Sequence, residues 1–341
     1  MQKEITRKGK LLSESGRLDE AGYSRKPLKL YERKLVKANR LRIKEWDYYL
    51  VSDGRRALAL TIADNSYMGM YSVSWLDLEA PTAETRSVMT VLPLGKTHLP
   101  ESSEQGDVSF KNKKAEITFR NDGTERKLFC RWDGFDSGKT LEASVTLRDA
   151  PQESIVMMTP YKEDRYAFYY NQKINCLKAD GYVRIGTDVY RFEDTYGVLD
   201  WGRGVWTYSN TWYWASASSE VNGVPFGFNL GYGFGDTSAA SENALFYDGR
   251  LHKLEEVAFN IPQKDGKDDF LSPWTFTSSD GRFTADFIPV IDRASDTNVL
   301  LIESDQHQVF GRFTGSAVLD DGTVVAFSDM PGFAEKVKNR W

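Results

Sequence analysis

Between Gly197 and Trp214 the chain sets Asp200 and Arg203 among Trp201, Trp206, Trp212 and Trp214, four of its nine tryptophans. A carboxylate pushed toward neutrality by an apolar wall can accept a proton, and a nearby guanidinium can hold an anion or polarise an oxygen. Indole rings add broad flat surface, each with one N–H that needs a partner when buried. Together these groups suit the wall of a pocket for a largely apolar molecule with one polar end. Asp200 is the candidate proton acceptor and Arg203 the candidate electrophilic or anion-binding group. Glu242, beside Asn243, is the second carboxylate, and across a pocket from Asp200 it would complete an acid/base couple of the kind used in glycoside hydrolysis. Each has a structural alternative: Asp and Gly cluster at turns, a Trp under an Arg closes the end of a barrel by stacking, and a buried glutamate is commonly just hydrogen-bonded.

Strands must carry these side chains. Extended geometry puts Tyr196, Val198 and Asp200 on one face and Leu199, Trp201 and Arg203 on the other, with Gly202 and Gly204 expected to break the alternation. In the next strand Trp212, Trp214, Ser216 and Ser218 share a face, and in the one after, Asn229 opposes Phe226, Phe228 and Leu230. Tyr196, Trp201, Trp206, Trp212, Trp214 and Asn229 are the expected ligand-binding residues. His307 joins them, with a partly exposed strand histidine as its alternative reading. The stretch from Gly231 to Gly235 reads as a loop at a barrel mouth, where Tyr232 and Phe234 could cover a ligand, with a plain turn as the favoured alternative reading.

Turn chemistry gives the fold class. Eight Asp-Gly pairs, at Asp53, Asp122, Asp133, Asp180, Asp248, Asp265, Asp280 and Asp321, and Asn222-Gly223 suit the positive φ of type I′ hairpins. Lys114 to Arg120 and Leu141 to Leu147 alternate apolar with polar residues, the period of a half-buried antiparallel strand. Helical periodicity is confined to Leu28–Lys37 and Phe333–Asn339. Gly311 and Gly315 mark a bend or bulge inside a strand.

A chain of 341 residues, 40% hydrophobic, is long enough for two cores. The expected break falls near Leu177 to Asp180, giving a solvated amino-terminal arm (1–23), a first β domain (24–178) and a second (179–341) that carries the Trp-rich site. A net charge of −5 without a basic stripe argues against nucleic acid as a partner. Cys130 and Cys176 form no disulfide framework, and His98, His252 and His307 are too scattered for a metal site. Neither a Gly-x-Ser-x-Gly elbow nor a phosphate or dinucleotide loop occurs, so no cofactor is expected. The absence of a long apolar stretch argues against a signal or integral membrane segment and leads to a cytoplasmic expectation.

The run Gly197-Val198-Leu199-Asp200-Trp201-Gly202-Arg203-Gly204-Val205-Trp206, with Trp212 to Ser218, resembles the bacterial family called domain of unknown function 2804. The resemblance extends through Gly16-Arg17-Leu18, Gly22 to Leu28, Asn229-Leu230-Gly231, Ser241 to Leu245, His307 to Gly315, Gly332-Phe333-Ala334-Glu335 and Arg340-Trp341. Asp200-Trp201-Gly202 is also distantly similar to the Asp-His-x-Trp-Gly signature of two-domain lipocalin-like proteins of the carotenoid hydratase type. The histidine of that signature has no counterpart here. What this likeness implies is architecture: a mainly β chain of two lipocalin-like antiparallel β-barrel domains with few short helices.

Three functions fit these residues. The first is binding of a hydrophobic or amphipathic small molecule, lipid-like or isoprenoid-like, in a Trp-lined cavity. The second is a cofactor-independent lyase, isomerase or hydratase using Asp200 or Glu242 as acid or base. The third is a carbohydrate-binding or glycoside-processing module, because indole faces also stack on sugars.

Overall fold

The computed structural model describes residues 2–299 and 302–340; Met1 and Trp341, the latter part of the carboxy-terminal motif, lie outside them. Alternating sequence and Asp-Gly turns produce antiparallel strands nearly throughout. Helix among the described residues amounts to two short 3-10 turns, Arg33–Leu35 and Arg40–Arg42.

The first barrel is built from β1 (Ile43–Ser52), β2 (Arg56–Asp64), β3 (Met68–Asp77), β4 (Thr82–Val91), β5 (Val108–Lys111), β6 (Ala115–Asn121), β7 (Arg126–Asp136), β8 (Lys139–Arg148), β9 (Ile155–Pro160), β10 (Phe168–Ile185) and β11 (Asp188–Val205). Their order is β4-β3-β2-β1-β11-β10-β8-β7-β6-β5, and β9 pairs with the first part of β10 and with the short strand Gly22–Ser24. The sheet curls until its edges approach, and Tyr71 of β3 stacks on Phe110 of β5 at 3.7 Å.

The second barrel uses β12 (Ser209–Val221), β13 (Val224–Tyr232), β14 (Ala244–Tyr247), β15 (Arg250–Lys253), β16 (Val257–Asn260), β17 (Trp274–Ser278), β18 (Phe283–Val299), β19 (Ile302–Val318) and β20 (Val324–Arg340). They are ordered β15-β14-β13-β12-β20-β19-β18-β17-β16. Its interior is packed with phenylalanines, among them Phe228, Phe276, Phe283, Phe287 and Phe313, around Trp274.

Six of the Asp-Gly pairs and Asn222-Gly223 lie at hairpin connections, as their φ preference requires. Asp133-Gly134 and Asp180-Gly181 instead mark register shifts inside β7 and β10. This corrects the expected division at 178/179, which falls within the unbroken strand β10. The chain passes from one sheet to the other between β11 and β12, so both strands before the Trp-rich turn belong to the first sheet. Gly181 serves the bulge: a Cβ there would lie 2.2 Å from Ser144 O.

Three further expectations change. Phe333–Asn339 is strand, because Phe333, Glu335, Val337 and Asn339 are buried while Lys338 is exposed, a period of two. Leu28–Lys37 is mostly extended, pinned by Tyr31 Oη donating to Glu45 Oε1 at 2.7 Å and by the Lys29–Glu20 ion pair. The amino-terminal arm is not solvated, since Ile5, Leu11 and Leu12 are buried. Gln2 Nε2 donates to Leu254 O at 2.7 Å and Lys3 N to Ala239 O at 2.8 Å, so the arm is bonded to the second barrel. Among the described residues no helix is long and apolar enough to cross a membrane.

Candidate functional site

The two sheets face each other across a seam, and strand register fixes which side chains meet there. On the first sheet Lys173 of β10 pairs with Asp200 of β11, which pairs with Tyr48 of β1. On the second, Gly231 of β13, Trp214 of β12, Glu335 of β20 and Gln308 of β19 form a row across four strands. Side chains of one strand alternate faces, so each row projects as a unit into the seam.

Asp200 Oδ1 accepts from Lys173 Nζ at 2.9 Å and from Asn171 Nδ2 at 2.6 Å. The same ammonium lies 3.7 Å from the centre of the Trp214 ring, a contact that compensates its burial by cation–π attraction. Trp214 is itself held by Nε1 donating to Asn229 Oδ1 at 2.7 Å, and Asn229 Nδ2 donates to Glu242 O at 3.0 Å. Glu242 occupies the space left by the missing side chain of Gly231: a Cβ there would sit 2.2 Å from Glu242 Oε1. Tyr169 Oη donates to Glu242 Oε2 at 3.2 Å.

Glu335 is held by neutral donors, Trp212 Nε1 at 3.0 Å and Gln308 Nε2 at 2.9 Å. Gln308 Oε1 in turn accepts from Arg293, whose other terminal nitrogen reaches Ser74 Oγ of the first barrel at 2.7 Å. Burial pushes the Glu335 carboxyl up to about 7, against the pull of its Trp212 bond and the Lys173 charge. Glu242 is raised as well, by burial first and by the Asp200 charge, with Lys173 opposing. Three buried carboxylates thus gather around the single ammonium of Lys173, an arrangement that favours keeping a proton on one of the acids.

Beside this cluster the seam contains a cavity of about 30 Å³, bordered by Leu50, Val198, Ser216, Phe310 and Phe333. That volume holds a water or two. Tyr196 lines its far end. On the opposite side of the cluster the seam is filled by rings: Trp206 meets Trp212 edge-on at 5.1 Å, Trp46 at 5.7 Å and Tyr169 at 5.8 Å.

Asp200, Glu242, Trp206, Trp212, Trp214, Asn229 and Tyr196 therefore share one seam. Arg203 and Trp201 do not. The ladder of β11 with β1 runs unbroken through Gly202 and Gly204, so Arg203 and Trp201 point away from Asp200, into the first barrel. There Arg203 ion-pairs with Asp47 at 3.0 Å, donates to Pro100 O at 2.7 Å, and lies 4.2 Å from the Trp201 ring centre. Gly202 is required because a Cβ would strike the Trp46 ring at 2.0 Å. His307 is also elsewhere: it stacks on Phe270 at 3.8 Å and its Nδ1 meets Asp292 Oδ2 at 2.6 Å, on the face of β19 opposite Gln308.

Sequence reasoning missed Lys173, Glu335, Gln308 and Tyr169. Glu335 and Gln308 lie inside runs already noted, but Glu335 was hidden by the helical reading of its segment. Lys173 carried a usable signal: Asn171, Lys173 and Asn175 alternate along a strand whose other residues from Phe168 to Leu177 are apolar apart from Gln172.

Residues 2–341 match the family model described as Domain of unknown function (DUF2804), and the chain belongs to that family. No curated protein matches it in sequence. The crystal structure of CghA with Sch210972 is similar in fold, with a TM-score of 0.56 over 97% of this chain and 97% of that one at 11% identity. A protein of Nitrosomonas europaea described as AttH aligns with a TM-score of 0.51 over 91% of this chain and 97% of that one, at 14% identity. Both likenesses run nearly end to end, and the architecture of two lipocalin-like β-barrels is common to them.

Proposed function

We propose that this family member is a cofactor-independent acid–base enzyme, of the lyase, isomerase or hydratase type, acting on a hydrophobic or amphipathic small molecule bound in the seam between its barrels. The observation that carries the reading is the excess of acid in a buried place: Asp200, Glu242 and Glu335 face the ammonium of Lys173, with the Arg293 guanidinium acting on Glu335 as well. Such an excess is costly to fold and is useful where a proton must be given and taken. Glu335, held by neutral N–H donors and raised to about 7, is suited to donate. Asp200, set against Lys173, is suited to accept, with Glu242 as the alternative acceptor. The cavity has room for a water or two, so the body of the molecule would be held by Trp206, Trp212 and Trp214 once these packed rings part. A protein of like fold, CghA, crystallised with Sch210972, supports the capacity of this architecture to hold a compound.

The test begins with mass spectrometry of compounds that co-purify with the full chain, followed by incubation of each with fresh protein. Asp200→Asn and Glu335→Gln should each lower turnover by about 10²–10⁴, and Glu335→Gln should also remove the loss of activity as pH rises through about 7. Turnover in both variants equal to that of the unsubstituted protein overturns the reading. Return of every bound compound unchanged favours binding without catalysis.

A further inference from the structure

One ring in the seam is supplied by a loop of the second barrel. Phe234 lies in the connection from β13 to β14, between Gly233 and Gly235, whose φ angles are +95° and +75°. A Cβ at Gly233 would meet Thr211 O at 2.2 Å and one at Gly235 would meet Pro160 O at 2.6 Å. The backbone therefore makes a double turn suited to glycine, and the turn drops the Phe234 ring into the aromatic end of the seam, where it is 5% exposed.

Phe234 stacks on Tyr169 at 4.9 Å, meets Trp206 edge-on at 6.2 Å and leans on Trp212 at 6.0 Å. Lys173 Nζ is 5.9 Å from its ring centre. An aromatic floor, two indole walls and an ammonium favour a flat, electron-rich occupant over an aliphatic chain. Two buried polar atoms on residues of this group have no hydrogen-bond partner among the described residues, Trp206 Nε1 and Glu242 Oε1. A phenyl ring cannot satisfy them, whereas a hydroxyl on the ring could satisfy either and a carbonyl the indole N–H.

We infer that the place now filled by Phe234 is an aryl subsite of the seam, with Phe234 as its resident plug, and that the substrate carries a flat conjugated ring bearing an oxygen. The ring would lie between Tyr169, Trp206 and Trp212, with its oxygen directed to Trp206 Nε1. This rests on the acid–base reading for where chemistry occurs, while the box itself stands on geometry.

Calorimetric titration of the full chain with p-cresol and with toluene tests it. Phe234→Ala should bind p-cresol at least about tenfold more tightly than the unsubstituted protein, and at least about tenfold more tightly than it binds toluene. Adding Trp206→Phe should erase the preference for p-cresol and keep toluene binding. No gain in affinity on opening the site, or equal binding of both probes, overturns the inference. Should Phe234→Ala fail to fold by circular dichroism, Phe234→Leu is held to the same two rankings. Failure here with loss of turnover in Asp200→Asn removes the subsite and leaves the acid–base reading. A p-cresol gain with unchanged turnover does the reverse.

Discussion

Inside the first barrel, the guanidiniums of Arg33, Arg126 and Arg203 are set against Glu45, Asp47 and Asp64; in the seam, the ammonium of Lys173 faces Asp200, Glu242 and Glu335. Burial raises acids in both places, Glu45 and Asp47 in the first and Glu242 and Glu335 in the second. A raised acid is therefore not what separates them. The separation lies in counter-charge, while the first barrel's remaining donors serve its architecture. In the first barrel they tie down the segment that covers one end: Arg203 reaches Pro100 O, Arg126 reaches Ser103 O at 3.0 Å, and Gly95 N donates to Asp64 Oδ2 at 2.8 Å. An indole N–H without a partner occurs in both, Trp201 Nε1 in the first barrel and Trp206 Nε1 in the seam, so unpaired donors do not separate them. The lesson is that a tryptophan beside an arginine and an aspartate does not by itself mark a site; what distinguishes the proposed site is its surplus of acid.

The comparison can be broken at four strengths. Arg203→Ala should cost about 3–5 kcal/mol in chemical denaturation, because Asp47 is left buried without its partner; a loss below about 1 kcal/mol would mean the first-barrel network is not structural. Glu335→Gln should act in the opposite sense. With a folded value of about 7 against an ordinary 4.5, native Glu335 keeps a proton that the unfolded chain has lost, so stability falls as pH rises between those values. The substitution should remove that fall, worth at most roughly 3 kcal/mol between pH 5 and pH 8. Asp47→Asn should destabilise at pH 8, since it strips Arg203 of its counter-charge. If the two variants behave alike, the distinction fails.

Gly231→Ala tests the seat of Glu242. A methyl group 2.2 Å from Glu242 Oε1 should cost about 1–3 kcal/mol and reproduce the turnover of Glu242→Gln. His307→Ala should be the mildest change: its partners Asp292 and Asp305 are partly or largely exposed, so the loss should stay under about 1 kcal/mol, with turnover unaltered.

How far the sequence foretold this can be argued from particular residues. Period-two alternation and Asp-Gly turns made the strands legible, and the face assignments along β11 and β12 were right residue by residue. The seam was not legible, because it depends on which sheet packs on which. Alternation told that Asp200 and Arg203 point to opposite sides of one strand; nearness in sequence suggested that they act together, and the geometry of the strand prevailed. Asp180-Gly181 misled for a related reason, since a bulge and a hairpin both call for glycine there and sequence does not distinguish them. Glu335 lies more than 130 residues beyond Asp200, and only the pairing of β20 with β12 places it in the row that faces Asp200.

That pairing also orders the birth of the protein. The strand Val324–Arg340 is inserted between Ser209–Val221 and Ile302–Val318, so its neighbours wait, as separate hairpin groups with unpaired edges, until it is synthesised. Such edges are prone to non-native association. Nascent chains halted before Val324 should accordingly demand holdase chaperones, while the earlier barrel can already have matured on the ribosome.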